Sequence, residues 1–215
     1  MPVVISTISS LQQFAIWLLD HATPNIFKSV TMETSDTMIA TDYNDNVVLR
    51  VNTVYLRAYR AYGNYLEYSS GGYSLFSDTW PAPIIGCDNG FMLTTRHKVG
   101  GSSRVTILVS LTNNGEPGIM FNSYGSSTDT RLYTSDVKHV AFGDHPTLST
   151  TLTFTPESAG QTVLAPFATD PEVGSISYTP YAFYMPVSQS YGIGFGKFRL
   201  GSDTYITNGY WCIKT

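Results

Sequence analysis

The chain closes on "SYGIGFGKFRLGSDTYITNGYWCIKT", residues 190–215, and the reading of this stretch decides the fold. Its glycines at 192, 194 and 196 invite comparison with a phosphate-cradling loop. A dinucleotide fingerprint needs G-x-G-x-x-G directly after a strand, a helix whose amino end receives the pyrophosphate, and an acidic residue about 20 positions later. Here the spacing is G-x-G-x-G. Beyond Gly196 the chain alternates Phe198 and Leu200, turns at Gly201-Ser202-Asp203, runs through Tyr205 and Ile206 into a second turn at Asn208-Gly209, and ends on an apolar strand. Residues 197–215 are too few for the helix and second strand of a βαβ unit. The stretch is therefore expected to be a glycine-rich bend entering an antiparallel meander. Trp211 and Ile213 near the end imply that the final strand is docked, because chain ends fray unless they are tied down.

The same period of two recurs upstream. "TLSTTLTFTP" (147–156) sets Leu148, Thr150, Leu152 and Phe154 against Ser149, Thr151, Thr153 and Thr155, a one-sided strand stopped by Pro156. "RVTILVSLTNNGEPGIMFNSY" (104–124) places a polar tip, Thr112 to Gly118, between a β-branched run and a short apolar one. "TMIATDYNDNVVLRV" (37–51) reads as a hairpin turning at Tyr43-Asn44-Asp45-Asn46, since Asn and Asp tolerate turn conformations that strands exclude. "VYLRAYRAYGNYLEYSSGGY" (54–73) fits a helix through Val54, Ala58, Ala61, Tyr62 and Tyr65, yet its β-branched and aromatic content favours a strand. Loops rich in Gly, Pro and Ser are expected at 69–86, 122–130, 156–162 and 170–180.

One segment breaks the pattern. In "STISSLQQFAIWLLDHATPN" (6–25), Leu11, Phe14, Ala15, Leu18 and Leu19 recur at helical spacing, and Ser9/Gln12 or Ser10/Gln13 fits a capping box. Pro24 ends the helix, and Ile16 and Trp17 widen its apolar stripe. This helix either docks on its own domain or inserts into a neighbouring subunit, with Leu11, Phe14, Trp17 and Leu18 as candidate contact residues. The chain thus reads as a mainly β protein, a sandwich or barrel-like antiparallel domain over 25–215, with an amino-terminal amphipathic helix over 1–24 that docks or covers the core.

Charged residues make up 13% of the 215, about half of the roughly 25% usual in globular proteins. Hydrophobic content of 42% and a mean hydropathy of -0.03 exclude a disordered chain. The net charge of -4 and scattered Lys and Arg supply no counterion-release grip on a phosphate backbone, so no nucleic-acid partner is expected. The run "FAIWLL" is far shorter than the roughly 20 residues that span a bilayer. Neither a membrane anchor nor a secretory signal is expected. Cys87 and Cys212 lie far apart, form no CxxC and can pair at most once, which points to two thiols in a reducing compartment rather than a disulfide framework or zinc site.

Catalytic constellations are weak. His139, Asp144 and His145 fall in one short span, but no H-x-x-x-H pair or third ligand accompanies them, and a polar turn explains "GDHP". "YGSSTD" (124–129) lacks the strand-to-helix context of a nucleophile elbow. Among Glu67, Asp78, Asp88, Glu116 and Glu157, nothing singles out a glycosidase pair. No enzyme activity, metal or cofactor is expected. The aromatics are denser: Tyr59, Tyr62, Tyr65, Tyr68 and Tyr73, and again Tyr178, Tyr181, Phe183 and Tyr184, either fill the core and subunit contacts or form a surface for stacking on sugars.

The carboxyl-terminal third, "VAFGDHPTLSTTLTFTP", "VLAPFATD" and "YTPYAFYMPVSQSYGIGFGKFRLGSDTYITNGYWCIKT", resembles the end of small virion structural proteins of tailed bacteriophages, in which a near-terminal "YITNGYW" strand closes the chain. The resemblance covers roughly residues 139–215 and carries no functional residue over. It implies a tail- or baseplate-associated virion protein, made in the host cytoplasm, whose partners are other virion proteins and copies of itself. The alternatives are a carbohydrate- or host-surface-binding module, or a capsid decoration protein, on the same particle.

Overall fold

In the computed structural model, residues 2–59, 65–69, 74–79, 81–96, 104–123, 131–133, 152–154, 162–168, 178–184, 196–200, 202–207 and 211–215 are described. Along the chain run β1 (Val4–Ile8), α1 (Leu11–His21), β2 (Ser29–Thr34), β3 (Thr37–Thr41), β4 (Val47–Asn52), β5 (Tyr55–Tyr59) and β6 (Tyr65–Ser69). Then come β7 (Ala82–Cys87), β8 (Gly90–Arg96), β9 (Arg104–Leu111), β10 (Pro117–Ser123), β11 (Arg131–Tyr133) and β12 (Leu152–Phe154). The carboxyl end adds β13 (Thr162–Ala168), β14 (Tyr178–Tyr184), β15 (Gly196–Leu200), β16 (Asp203–Thr207) and β17 (Trp211–Lys214). Among the described residues these strands make three antiparallel sheets, ordered β1-β7-β8-β9-β10-β11, β2-β3-β4-β5-β6, and β12-β13-β14-β17-β16-β15.

The first of these sheets lies between the other two. Its side chains alternate between two cores: Ile84, Phe91, Leu93, Ile107, Val109 and Ile119 face α1 and the second sheet, while Ile85, Met92, Leu108 and Met120 face the third. A sheet buried on both faces explains why "TILV" and "GIM" read as continuous apolar runs rather than as alternating strands. The mainly β, sandwich-type antiparallel architecture expected from the sequence is the one observed, as three layers rather than two.

The helix forms where its pattern placed it. Ser10 is the N-cap, its side chain accepting the Gln13 N–H, while Gln13 Oε1 accepts from the Ser9 N–H at 2.8 Å. Leu11, Phe14, Ala15, Trp17 and Leu18 are buried, and Phe14 and Trp17 set their rings edge-on to Phe91 at 6.2 and 5.4 Å. Leu19, assigned to the buried stripe, is instead 47% exposed, and Trp17 takes the inward position because its ring reaches across to Gly86.

The amino-terminal segment is more than a helix. Val4–Ile8 is a strand paired with β7, Val4 opposite Gly86 and Ile8 opposite Ala82, so this end is stitched into the central sheet by backbone hydrogen bonds. β1 shows only a short alternation before the cap, too brief to separate from a helix approach. The span 69–86, read as loop, also yields a strand: Pro81 and Pro83 signal loop locally, but β7 is held on both sides by β1 and β8. Three other expected loops give up their ends to β10, β13 and β14.

The hairpins form at the expected turns. β3 and β4 flank a turn in which buried Asp42 accepts the backbone N–H groups of Asn44 and Asn46 and the Asn46 side chain, with Asp45 at a φ of 66°. β9 and β10 flank 112–116 with Gly115 at a φ of 80°, and the 54–73 stretch supplies the β5–β6 strand pair rather than a helix. The final meander is present, with an addition the sequence did not suggest: β17 inserts between β14 and β16. Trp211 and Ile213 are wholly buried, and Asn89 Nδ2 donates to the Lys214 carbonyl at 2.8 Å, tying the chain end to the β7–β8 turn.

Candidate binding face

The second sheet presents its outer surface to solvent. On β5, Leu56 and Ala58 enter the core, so Tyr55, Arg57 and Tyr59 stand on the opposite face. Pairing with β6 sets Arg57 opposite Glu67 and Tyr59 opposite Tyr65. The Tyr59 and Tyr65 rings lie 5.3 Å apart at 45°, and the Arg57 guanidinium sits 4.3 Å from the Tyr55 ring centre and 4.7 Å from that of Tyr65. Arg57 Nε donates to Glu67 Oε2, and hydrogen bonding to that carboxylate pushes the guanidinium further above its already high pKa.

The charges extend across the sheet. Arg50 on β4 lies opposite Arg57 and donates to Glu33 Oε1 at 2.7 Å. A row of Glu33, Arg50, Arg57 and Glu67 thus crosses the sheet with each guanidinium matched to a carboxylate. Exposed ion pairs contribute about 0–1 kcal/mol, and a cation over an exposed ring about 0.5–1 kcal/mol, so the row does little for stability. It does fix where the rings and polar groups point.

Of the expected aromatic surface, Tyr59 and Tyr65 are brought together. Tyr68 lies in β6 with its Cα opposite Leu56, while Tyr62 and Tyr73 lie outside the described residues. Tyr55, not singled out from the sequence, joins them because strand alternation places it two residues before Arg57. In the second aromatic group, Phe183 is buried against Tyr205 with ring centres 6.0 Å apart, and Tyr181 packs partly buried against the core.

Leu11, Phe14, Trp17 and Leu18 are at most 5% exposed, and all belong to the core beneath α1. As contact residues they serve the protein's own sheets, because the faces of the first two sheets would otherwise be open at that end. Outward from the helix stand Ile16 and Leu19, at 57% and 47% exposure.

Of the five carboxylates weighed above, four fall among the described residues. Glu67 is held by Arg57, Asp78 is exposed between β6 and β7, Asp88 accepts from Asn25 and Glu116 from Asn44, and Glu157 lies outside the described residues. So do His139, Asp144, His145, Gly192, Gly194 and the 124–129 stretch. Among the described residues no three His, Cys, Asp or Glu are grouped to hold a metal, and no helix is long and apolar enough to cross a membrane. Fold and surface define a class: a layered antiparallel β protein with a helix sealed into one core and an aromatic, charge-balanced outer sheet. Comparisons with family models, curated proteins and solved structures found no match to the chain.

Proposed function

We propose that the protein is a non-enzymatic structural component of a tailed-phage particle, associated with the tail or baseplate, that works by repeated subunit contacts. The observation that carries this reading is the outward chemistry of α1. Ile16 and Leu19, three residues apart and therefore neighbours on the helix surface, expose more than half and nearly half of their area. With the inward face of α1 committed to its own core, these are the aliphatic groups this element offers to another subunit.

The surrounding chemistry agrees. A surface with few charges suits closely packed assembly, since each unpaired charge buried at a contact costs several kcal/mol. The partners are other virion proteins and further copies of the chain, and the resemblance of its carboxyl-terminal third to small virion proteins points to the same setting.

Mass spectrometry of purified particles, with copy number measured against the major capsid protein, tests the proposal. Many copies per particle are expected. An Ile16→Lys/Leu19→Lys chain is expected to melt like the parent yet fail to join particles. Absence of the chain from particles while it is abundant in the lysate overturns the reading.

A further inference from the structure

The β5–β6 face combines three features that assembly does not require. Its rings lie close together: Tyr65 is 49% exposed, meets the half-buried Tyr59 at 5.3 Å with the ring planes tilted by 45°, and shares the Arg57 guanidinium with Tyr55. An exposed tyrosine face can cover the apolar C–H face of a sugar ring while leaving its hydroxyls at the edge. Planar polar groups lie among the rings, the Arg57 guanidinium over Tyr55 and Tyr65 with Glu67 bonded to it. A guanidinium carries five donors and a carboxylate about four acceptor sites, so the bond between Arg57 Nε and Glu67 leaves both with capacity toward vicinal hydroxyls.

The charges then select among ligands. In the row Glu33, Arg50, Arg57, Glu67, two positive and two negative groups sum to zero, and each guanidinium already has its carboxylate. An acidic polymer would have to break those pairs against a chain of net charge -4, and a nucleic acid would lack the unpaired cations that hold its phosphates. A neutral polyol needs neither. The groups also sit on adjacent hydrogen-bonded strands, so little ordering is left to do on binding.

We infer that the outer face formed by Tyr55, Arg57, Tyr59, Tyr65 and Glu67 is a saccharide-binding surface whose ligand is a neutral glycan. This activity goes beyond assembly and does not depend on where the protein resides. The test is titration of the isotope-labelled full chain with chitohexaose, maltohexaose and cellohexaose, and with polygalacturonate and polysialic acid as acidic probes, followed by amide chemical shifts. One neutral series is expected to move the resonances of 55–59 and 65–69, to bind about tenfold more weakly to Tyr65→Ala, and to bind Tyr65→Phe nearly as well as the parent.

Because Tyr65 is half exposed, its removal is expected to leave the melting temperature almost unchanged, which separates lost binding from lost folding. Four results overturn the inference: no shifts with any neutral probe, shifts confined to other surfaces, binding of the acidic probes alone, or unchanged affinity in Tyr65→Ala. The Ile16→Lys/Leu19→Lys chain is expected to keep glycan binding, so this inference and the assembly proposal fail separately.

Discussion

Gly90 shows how a single missing side chain governs the approach of two strands. It has a φ of 156°, and a Cβ placed on it would lie 2.3 Å from the Val109 carbonyl oxygen and 3.2 Å from Ile213 Cδ1. The nearest obstacle is backbone, which cannot swing aside, so Gly90→Ala is expected to destabilise the protein by about 3 kcal/mol. A denaturant midpoint equal to the parent's would refute that. At Gly86 the obstacles are side-chain atoms, the buried Trp17 ring at 2.6 Å and Phe91 Cβ at 3.0 Å, so Gly86→Ala is also expected to destabilise the protein by displacing Trp17 from its packing on Phe91. Both glycines look like ordinary turn residues in the sequence, because their constraint comes from residues distant in the chain. Cys87 and Cys212 carry a second consequence of burial. Both are free thiols, and burial raises the pKa of each above the ordinary 9.0. A raised folded-state pKa stabilises the protein while the thiol stays protonated, so this contribution is present below pH 9.0 and is lost as pH climbs toward the folded-state values. Melting temperature is expected to fall from neutral to strongly alkaline pH, with a shallower fall in Cys212→Ala. Equal slopes in the two chains would remove the thiol from the account.

At the scale of elements, β17 is more than a terminal strand. It lies between β14 and β16, buries Trp211 and Ile213 against the central sheet, and receives the Asn89 side chain at the Lys214 carbonyl. A chain ending at Tyr210 therefore leaves β14 and β16 without their shared neighbour. Losing Trp211 alone is worth about 3–5 kcal/mol, so the truncated chain is expected to melt at least about 10 °C lower. A melting temperature equal to that of the full chain would refute this. The helix is the counterpart at the other end: Ser10→Ala removes the acceptor for the Gln13 N–H and is expected to cost about 1 kcal/mol by denaturant titration. These two elements were legible because their signals are local, a capping box with a 3.6-residue stripe and a pair of turns separated by alternating residues. β1 and β7 were not, since a short alternation and a proline-containing run acquire strand geometry only through their partners, β1 from β7 and β7 from both β1 and β8.

For the molecule as a whole, the double-sided central sheet is the decisive feature. Phe91 and Met92 are adjacent in β8 yet belong to different cores, one shared with α1 and the second sheet, the other with the third sheet. The two cores are thus coupled through one set of backbone hydrogen bonds. Phe91→Ala and Met92→Ala, expected to cost about 3–5 and 2–5 kcal/mol, should each shift one common unfolding transition rather than split it. Two separate transitions in either variant, followed by tryptophan fluorescence and by circular dichroism, would show that the layers unfold independently.

The sequence by itself determined the secondary-structure class, the helix with its cap, three of the hairpins, the docked carboxyl end and the exclusion of a dinucleotide fold, because each depends on periodicity, turn chemistry or spacing within a few residues. Tertiary structure alone decided that there are three layers, that β1 joins the central sheet, that β17 enters between β14 and β16, and that Trp17 rather than Leu19 faces inward. It alone also set Arg57 between Tyr55 and Tyr65 and matched Arg50 and Arg57 to their carboxylates. The physical reason is common to all of these: strand pairing and side-chain burial are settled by partners far away along the chain, whose identity no local pattern encodes.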